Sequence, residues 1–126
     1  MQDFRKLEVW RKARHLSRRV YLATRGFPRD ELFGLTAQMR QCAVSIGANV
    51  AEGCGRGTQA DLARFLRIAF GSACELEHHL IVAKDNDYLT ARETHDLGSR
   101  VLRIKRMLSG LLRSVRESGL PTTENR

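Results

Sequence analysis

The sequence predicts an all-α fold, an antiparallel up-down-up-down four-helix bundle, and three observations favour it. Only two prolines, Pro28 and Pro121, occur among the 126 residues, so nearly the whole chain is free to be helical. The alternation of β-branched residues that is typical of strands is absent. Apolar residues instead recur at steps of three and four, and short links between such segments favour antiparallel neighbours. We expect one bundle domain over residues 1–118 and a disordered tail over 119–126.

We expect the first helix to begin between Phe4 and Leu7 and to end by Gly26. Its predicted core face comprises Val9, Trp10, Ala13, Leu16, Val20 and Thr24. Gly26 suits the C-terminal cap of a helix, and Pro28 suits the first turn of the helix that follows.

The second helix, predicted from Pro28 to Glu52 and stopped by the glycine-rich stretch 53–57, has almost no charged face. Its core stripe comprises Met39, Ala43, Ile46 and Val50. A surface helix is normally charged on the side opposite its core stripe. Here that side carries Ala37, Val44, Ala48 and Ala51. We therefore predict that a second copy of the chain packs there, as a homo-oligomer interface.

The third and fourth helices show sustained heptad seams. In the third helix, which Thr58 should cap, the seam comprises Leu62, Leu66, Ala69, Ala73, Leu76, Leu80 and Ala83. The tetrad from Thr90 to Glu93 matches a capping box and should start the fourth helix. The seam of the fourth helix comprises Leu97, Val101, Ile104, Leu108, Leu111 and Val115. A second apolar flank of the third helix is predicted to contact another subunit and comprises Phe70, Cys74 and Ile81.

The net charge of +8 is concentrated at the two ends of the chain. Residues 1–27 hold eight Lys/Arg against two Asp/Glu, and residues 90–126 hold eight against four. Arginines outside the predicted core faces form rows on the first and fourth helices: Arg11, Arg14, Arg18, Arg25, Arg103, Arg106 and Arg113. Such rows could neutralise several phosphates and bind RNA in a salt-sensitive, largely sequence-independent way. A solvated cationic face is the alternative, since Tyr21 and Trp10, the only aromatic residues near the arginines, are expected in the core.

Candidate catalytic and metal-binding groups are few. Glu75 and His78 have the spacing of di-iron bundles, but the motif occurs once and should face away from the seam. The three cysteines, Cys42, Cys54 and Cys74, lack CxxC spacing, so we expect reduced thiols, no disulfide and no zinc. We expect no enzymatic activity, no cofactor, no metal and no small-molecule substrate. Because the N-terminus lacks an apolar signal region and no 18 apolar residues run together, we also expect a soluble, cytoplasmic protein.

Two groups of residues resemble functional sites, but a structural role explains each of them better. Residues 53–57, which include Arg56, could cradle a phosphate, but the Walker ending is missing and no strand precedes them. A tight turn with a helix cap explains the stretch better. Ser45, Asn49 and Glu52 lack a histidine or second carboxylate at a catalytic spacing. We expect these three to form buried hydrogen bonds between neighbouring helices.

Two stretches of the chain are the most distinctive: Ser45-Ile46-x-x-Asn49-Val50-Ala51-Glu52-Gly53 and Ala69-x-Gly71-Ser72-x-x-Glu75-Leu76-Glu77. Shorter matches accompany them in order along the chain: Val9-Trp10, Phe27-Pro28, Gly34-Leu35, Gln38-x-Arg40 and Phe65-Leu66. Together these residues cover nearly the whole chain. They resemble the four-helix bundle family that is named after 23S rRNA intervening sequences.

The resemblance implies a bacterial protein that assembles as a ring-like homopentamer. It also implies kinship with the accessory variability protein of diversity-generating retroelements, which partners a reverse transcriptase and nucleic acid. No catalytic residues are established for the family. Many relatives have a second basic residue and alanine where this chain has Gln41 and Cys42, which weakens a phosphate-binding role for Arg40. We therefore predict an oligomer whose basic surface binds RNA or a nucleic-acid-processing complex, or alternatively a protein–protein adaptor without direct nucleic-acid binding.

Overall fold

The computed structural model describes residues 2–119, and within them it contains four helices and no strand. The helices are α1 (Glu8–Thr24), α2 (Leu35–Arg56), α3 (Gln59–Asp85) and α4 (Ala91–Gly119). Single 3-10 turns precede α1 and α2, at Phe4–Lys6 and Arg29–Glu31. The predicted all-α fold is confirmed. The predicted tail over 119–126 lies outside the described residues, apart from Gly119 at the end of α4.

Each helix packs antiparallel against its neighbour along the chain, and α4 returns to pack against α1. At least one polar contact joins each packed pair. Between α1 and α2, Arg40 Nε donates to Thr24 Oγ1 at 2.9 Å, and between α2 and α3, Ser45 Oγ lies 2.9 Å from Ser72 Oγ. Lys105 Nζ donates to Glu77 Oε1 at 2.8 Å between α3 and α4, and Arg19 Nη2 donates to Asp96 Oδ2 at 2.9 Å between α1 and α4. In this cyclic order α1 is diagonal to α3, and α2 is diagonal to α4. The outer side formed by α1 and α4 is therefore opposite the outer side formed by α2 and α3.

The predicted core faces of the helices are buried. Every residue of the α3 seam, from Leu62 to Ala83, and every residue of the α2 stripe, from Met39 to Val50, is in the core. On α1 and α4 the predicted faces are also buried, except that Trp10 and Leu111 are half-buried at the edge of the core. Over residues 2–119, no helix combines the length and hydropathy that a transmembrane span needs.

Both predicted threonine caps are present. At the start of α3, Thr58 Oγ1 accepts a hydrogen bond from Asp61 N at 3.1 Å. At the start of α4, Thr90 N donates to Glu93 Oε1 at 2.8 Å, and Glu93 N donates to Thr90 Oγ1 at 3.0 Å. These bonds satisfy amide groups that the first turn of a helix leaves without a partner.

The predicted start of α2 at Pro28 is wrong, because α2 begins only at Leu35. Gly34 has non-helical dihedral angles (φ −110°, ψ −115°) and separates α2 from the preceding 3-10 turn. The Glu31 carboxylate caps α2: its Oε1 accepts from Leu35 N at 3.1 Å, and its Oε2 accepts from Tyr88 OH at 2.9 Å. Since Tyr88 lies just before α4, a contact between residues distant in sequence helps to set this boundary.

The predicted end of α2 at Glu52 is also wrong, because the helix continues to Arg56 and stops only at the last residue of the glycine-rich stretch 53–57. Gly57, with a φ of 88°, ends α2 in the left-handed conformation that glycine adopts without strain. At Gly53, a Cβ atom would lie only 2.9 Å from Phe65 Cβ and 3.2 Å from Leu62 Cδ1. Gly53 therefore allows α3 to approach α2 closely, which is a packing role.

Gly53→Ala should lower the free energy of unfolding relative to Gly55→Ala, the matched control. Both variants gain about 1 kcal/mol at most from the better helix propensity of alanine. Only the Gly53 variant overpacks the α2–α3 contact, because no atom outside the adjoining backbone of α2 lies within 4 Å of a Cβ built at Gly55. We expect the two variants to differ by about 1–3 kcal/mol in urea unfolding. Equal stabilities would show that the α2–α3 contact at Gly53 is not tight.

Candidate nucleic-acid interface

The predicted arginine row of α1 lies together on the outer side of that helix. The core residues of α1 recur every three or four positions, so the arginines, at steps of three, four and seven, fall on the other side. All four arginines border one shallow groove: Arg11, Arg14, Arg18 and Arg25. The other residues that line this groove are His15, Ser17, Tyr21 and Leu22. No carboxylate of the described residues lines it, so the charge of the groove is positive.

Little in the protein competes for these guanidinium groups. Over residues 2–119, none of the four arginines that border the groove forms an ion pair. Arg11 Nη1 donates to the Arg5 carbonyl oxygen at 3.0 Å, and the Arg14 guanidinium lies 5.7 Å from the centre of the Trp10 ring. Arg18 and Arg25 make no side-chain hydrogen bond within the described part of the chain. The α1 groove therefore offers cations that an anionic ligand could neutralise.

Tyr21 lies in this groove, and the expectation that it belongs to the core is wrong. Its side chain neighbours the core residue Val20 in sequence but is rotated by about 100° around α1, which leaves Tyr21 40% exposed. The Arg40 guanidinium lies 4.8 Å from the centre of the Tyr21 ring. Trp10 is half-buried and packs edge-to-face with Phe4, with ring centres 4.9 Å apart. The groove therefore combines arginines with one accessible aromatic ring.

The three arginines that the sequence predicted on α4 do not border the α1 groove but line other depressions. Arg103 lies in a groove between α1 and α4, which Arg11 also borders, together with Lys12 and Arg100. Two carboxylates line that groove as well and neutralise part of its charge. Arg103 Nη2 lies 4.0 Å from Glu8 Oε2, and Arg100 Nε lies 3.3 Å from Asp96 Oδ1.

Arg106 and Arg113 face a third depression, on the side of α4 that is turned toward α3. Its other lining residues are Phe70, Leu102, Lys105 and Ser109. The structure therefore brings the α1 arginines together and places Arg103 next to Arg11, but it leaves Arg106 and Arg113 apart. The sequence prediction omitted Arg100 from the basic surface. Because Arg100 lies one turn before Arg103 on α4, helical spacing could have assigned it to the basic surface.

Arg40 serves the contact between α1 and α2. Its Nε donates to Thr24 Oγ1, while the Thr24 hydroxyl donates to the Val20 carbonyl oxygen at 2.8 Å. The half-buried guanidinium also covers the Tyr21 ring. This arrangement explains Arg40 by packing between helices, in agreement with the doubt that Gln41 and Cys42 raised about a phosphate site.

Of the three polar residues on α2 that were expected to link neighbouring helices, only Ser45 does so directly. Ser45 joins α2 to α3 through Ser72, and Asn49 Nδ2 donates to both the carbonyl and the hydroxyl oxygen of Ser45 at 2.9 Å. Glu52 does not reach another helix. Its Oε2 instead accepts from Arg56 Nε at 3.0 Å on the exposed surface of α2, because the two residues are one turn apart.

The residues predicted to form an oligomer interface lie on the outer faces of α2 and α3. On α2, Val44 and Ala48 are exposed, whereas Ala37 and Ala51 are half-buried. On α3, Cys74 and Ile81 are exposed and Phe70 is half-buried against the core, with Lys105 Nζ 5.5 Å from its ring centre. Ile68 of α3 is also exposed and was missed, because it lies on the other side of the seam from the predicted flank.

A cluster of three potential metal ligands lies between α2 and α3 and was missed as a group. His79 Nε2 lies 3.3 Å from Glu75 Oε2, and these donor atoms and Cys42 Sγ all lie within 4.8 Å of one another. Burial, followed by a hydrogen bond to the Glu75 carboxylate, raises the pKa of the buried Cys42 thiol to about 12. The sequence analysis paired Glu75 with His78, which is exposed. The spacing of four between Glu75 and His79 puts both residues on one helix face, so the sequence could have predicted this pair.

Comparison with known proteins identifies a family and a fold. The family model described as "23S rRNA-intervening sequence protein" matches residues 5–110. Among solved structures, the chain is similar to a protein of unknown function from the S23 ribosomal protein family of Bacteroides thetaiotaomicron, with 24% identity and a TM-score of 0.76. The similarity covers 83% of this chain and 95% of that one, and at this identity it shows the fold alone. The comparison with curated proteins finds no match.

Asp96 should make the stability of the α1–α4 contact dependent on pH. Hydrogen bonding and charge from Arg19, with the Arg100 charge, hold the pKa of Asp96 below its usual value. A carboxyl whose pKa is lower in the folded state stabilises that state above its unfolded pKa. This stabilisation is lost as the pH falls through the folded pKa.

Asp96→Asn should therefore weaken the acid dependence of the unfolding free energy below about pH 5. The measurement is chemical unfolding at a series of pH values. Asp85→Asn is the matched control, because Asp85 is exposed and forms no ion pair over residues 2–119. If the Asp96 and Asp85 variants gave the same profile, the Arg19–Asp96–Arg100 contact would contribute nothing to the acid dependence.

Proposed function

We propose that this chain, which belongs to the family of 23S rRNA-intervening sequence proteins, is a non-enzymatic, self-associating bundle that binds single-stranded RNA along α1. One observation carries the proposal. Four exposed arginines border a single groove that no carboxylate of the described residues lines. Phosphate groups are the chemistry that such a groove accommodates, because guanidinium groups pair with phosphate oxygens in good geometry.

The dimensions of the arginine row suit an extended polyanion. Arg11 and Arg25 are about 21 Å apart along the axis of α1, given a rise of about 1.5 Å per residue. A strand that follows the helix can therefore place several phosphates near the row. The net charge of +8 adds a long-range attraction that favours encounter with RNA. Binding of this kind depends on phosphate charge and hence on salt, and it discriminates little between bases.

Tyr21 favours a single strand over a duplex. A base can stack on an accessible aromatic ring only when it is not already stacked and paired within a helix. Tyr21 lies in the same groove as the arginines, so one strand can present its phosphates to the row and a base to the part of the ring that Arg40 does not cover. The accessory variability protein that the family resembles partners a reverse transcriptase, and a complex of RNA with such an enzyme is therefore included in the proposal.

Self-association is the second part of the proposal: another copy of this chain packs on the outer faces of α2 and α3. The outer faces of α2 and α3 expose Val44, Ile68 and Ile81, with small residues such as Ala48 between them. This side of the bundle is opposite the side formed by α1 and α4. Copies that associate through it, as a ring or a smaller oligomer, keep their α1 grooves exposed and multiply the affinity for one RNA strand.

A protein–protein adaptor is the alternative function, and one observation favours it. Phe33, in the link between α1 and α2, is 92% exposed, and the neighbouring Leu32 is exposed as well. An exposed aromatic side chain beside an aliphatic one is typical of an anchor for a protein partner. In this alternative the positive charge only accelerates association with an acidic partner.

Salt titration of RNA binding tests the first part of the proposal. We expect a labelled poly(U) oligonucleotide to bind with an affinity that falls as salt is added. The logarithmic slope should be about −0.7 for each phosphate that is neutralised. Arg18→Ala and Arg25→Ala should each weaken binding and reduce the steepness of the slope by about 0.7.

Arg67→Ala is the matched control for the RNA titration. It removes the same charge from an exposed position on α3, which is diagonal to α1. The slope of this variant should equal that of the unmodified protein. Absence of RNA binding at low salt would favour the adaptor function. Equal effects of the Arg18 and Arg67 variants would show that total charge, and not the α1 groove, governs binding.

Light scattering tests the second part. The unmodified protein should have a mass that is a multiple of the 14.3 kDa of one chain. Val44→Asp should reduce the mass toward that of one chain, because a charge cannot be buried against an apolar partner face. Leu22→Asp is the control, since Leu22 is similarly exposed (43%, against 47% for Val44) but lies on α1. A single-chain mass for the unmodified protein, or dissociation by both variants, would contradict this interface.

A further inference from the structure

The contact between α2 and α3 brings together three different metal-ligating groups. Cys42 comes from α2, whereas Glu75 and His79 are one turn apart on α3. Cys42 is 5% exposed, and the side chain of His79 is largely buried as well. The side chain of Glu75 is half-exposed, so the cluster is open to solvent on one side.

We propose that Cys42 Sγ, a Glu75 carboxylate oxygen and a His79 ring nitrogen bind one Zn²⁺ ion, with a water molecule as the fourth ligand. Zinc bonds to sulfur, nitrogen and oxygen are about 2.0–2.3 Å long, so tetrahedral ligands lie about 3.3–3.8 Å from one another. His79 Nε2 and Glu75 Oε2 already meet this requirement at 3.3 Å. No pair of the three donor atoms is more than 4.8 Å apart, so the widest pair must close by only about 1 Å.

The Glu75 side chain can move enough to close the gap of about 1 Å between donor atoms, and the site has a route by which an ion can enter. Glu75 projects from the half-exposed side of the cluster, where its side chain can rotate without displacing core residues. An ion can therefore enter past Glu75 and reach the buried thiol. Cys42 and His79 are held by the packing of α2 on α3, which positions two ligands of the site before the ion arrives.

The mixture of ligands selects the class of metal. Zinc accepts a thiolate, an imidazole and a carboxylate together in tetrahedral sites, and the Cys42 thiol releases its proton to solvent when the metal binds. Magnesium and calcium prefer oxygen ligands in larger number, and only Glu75 supplies a carboxylate here. The sequence analysis expected no zinc because it considered the exposed His78 and found no CxxC motif. The packing of α2 against α3 supplies what those patterns lack, namely a sulfur ligand from a second helix.

Cobalt substitution provides a direct spectroscopic test on the full chain. The purified, reduced protein is freed of metal by a chelator and titrated with Co²⁺. We expect one equivalent per chain, a near-ultraviolet charge-transfer band from the Co²⁺–thiolate bond, and strong visible bands of a tetrahedral site. Added Zn²⁺ should displace Co²⁺ and abolish both signals. Zn²⁺ should also raise the Tm of the protein, because an ion that binds only the folded state stabilises it.

Neighbouring residues in this chain provide matched controls. His79→Ala and Cys42→Ser should abolish the cobalt spectrum and the rise in Tm. His78→Ala removes the adjacent, exposed histidine, and Cys54→Ser removes another buried cysteine. Both control variants should retain the spectrum and the rise in Tm. Helix content from circular dichroism establishes that each variant is folded.

Several results would overturn the zinc site. Absence of a thiolate band from the unmodified, folded protein would leave the cluster as a Glu75–His79 contact beside a buried thiol. Retention of the band in Cys42→Ser would place the metal elsewhere. Equal loss in His78→Ala and His79→Ala would contradict the geometry. Because the cluster lies between α2 and α3, removal of the metal should leave RNA binding along α1 unchanged, so the two proposals are tested separately.

Discussion

The close approach of α2 to α3 is the constraint on which the rest of the structure depends. A side chain at Gly53 would collide with Phe65, and further along the same contact the hydroxyl groups of Ser45 and Ser72 share a hydrogen bond. Small groups therefore bring the two helices together, while another face of α2 packs against α1. Because α2 contacts both α1 and α3, its position determines where α4 completes the bundle. It also determines which surface of each helix faces outward.

The cyclic order of the helices separates two kinds of surface. α1 and α4 belong to the basic ends of the chain, where residues 1–27 carry +6 and residues 90–126 carry +4. α2 and α3 belong to the nearly neutral middle and expose Val44, Ile68 and Ile81. Since these two sides of the bundle are opposite, the proposed polyanion on one and the proposed second copy of the chain on the other would not compete for space. The arrangement suits a protein that uses several copies of one weak binding surface.

The number of arginines overstates the number of cations that are available to a ligand. Arg19 and Arg100 both pair with Asp96, and Arg40 is engaged with Thr24 and with the ring of Tyr21. The α1 row differs because its groove has no carboxylate among the described residues that line it. Availability therefore depends on the neighbours of each guanidinium group, which come from other helices and from other turns of the same helix. This dependence is why the sequence located the basic helices but did not rank their arginines.

Short-range patterns in the sequence determined the four helices, their seams, the threonine caps and the outward direction of the α1 arginines. Each of these depends on residues three or four positions apart, so helical periodicity alone predicts it. Only the tertiary structure decided features that join distant residues: the start of α2, where Glu31 also binds Tyr88, the tight contact at Gly53, and the meeting of Cys42 with His79. The physical reason is that these contacts depend on how far apart two helices lie and how each is rotated. The periodicity within a single helix contains neither quantity.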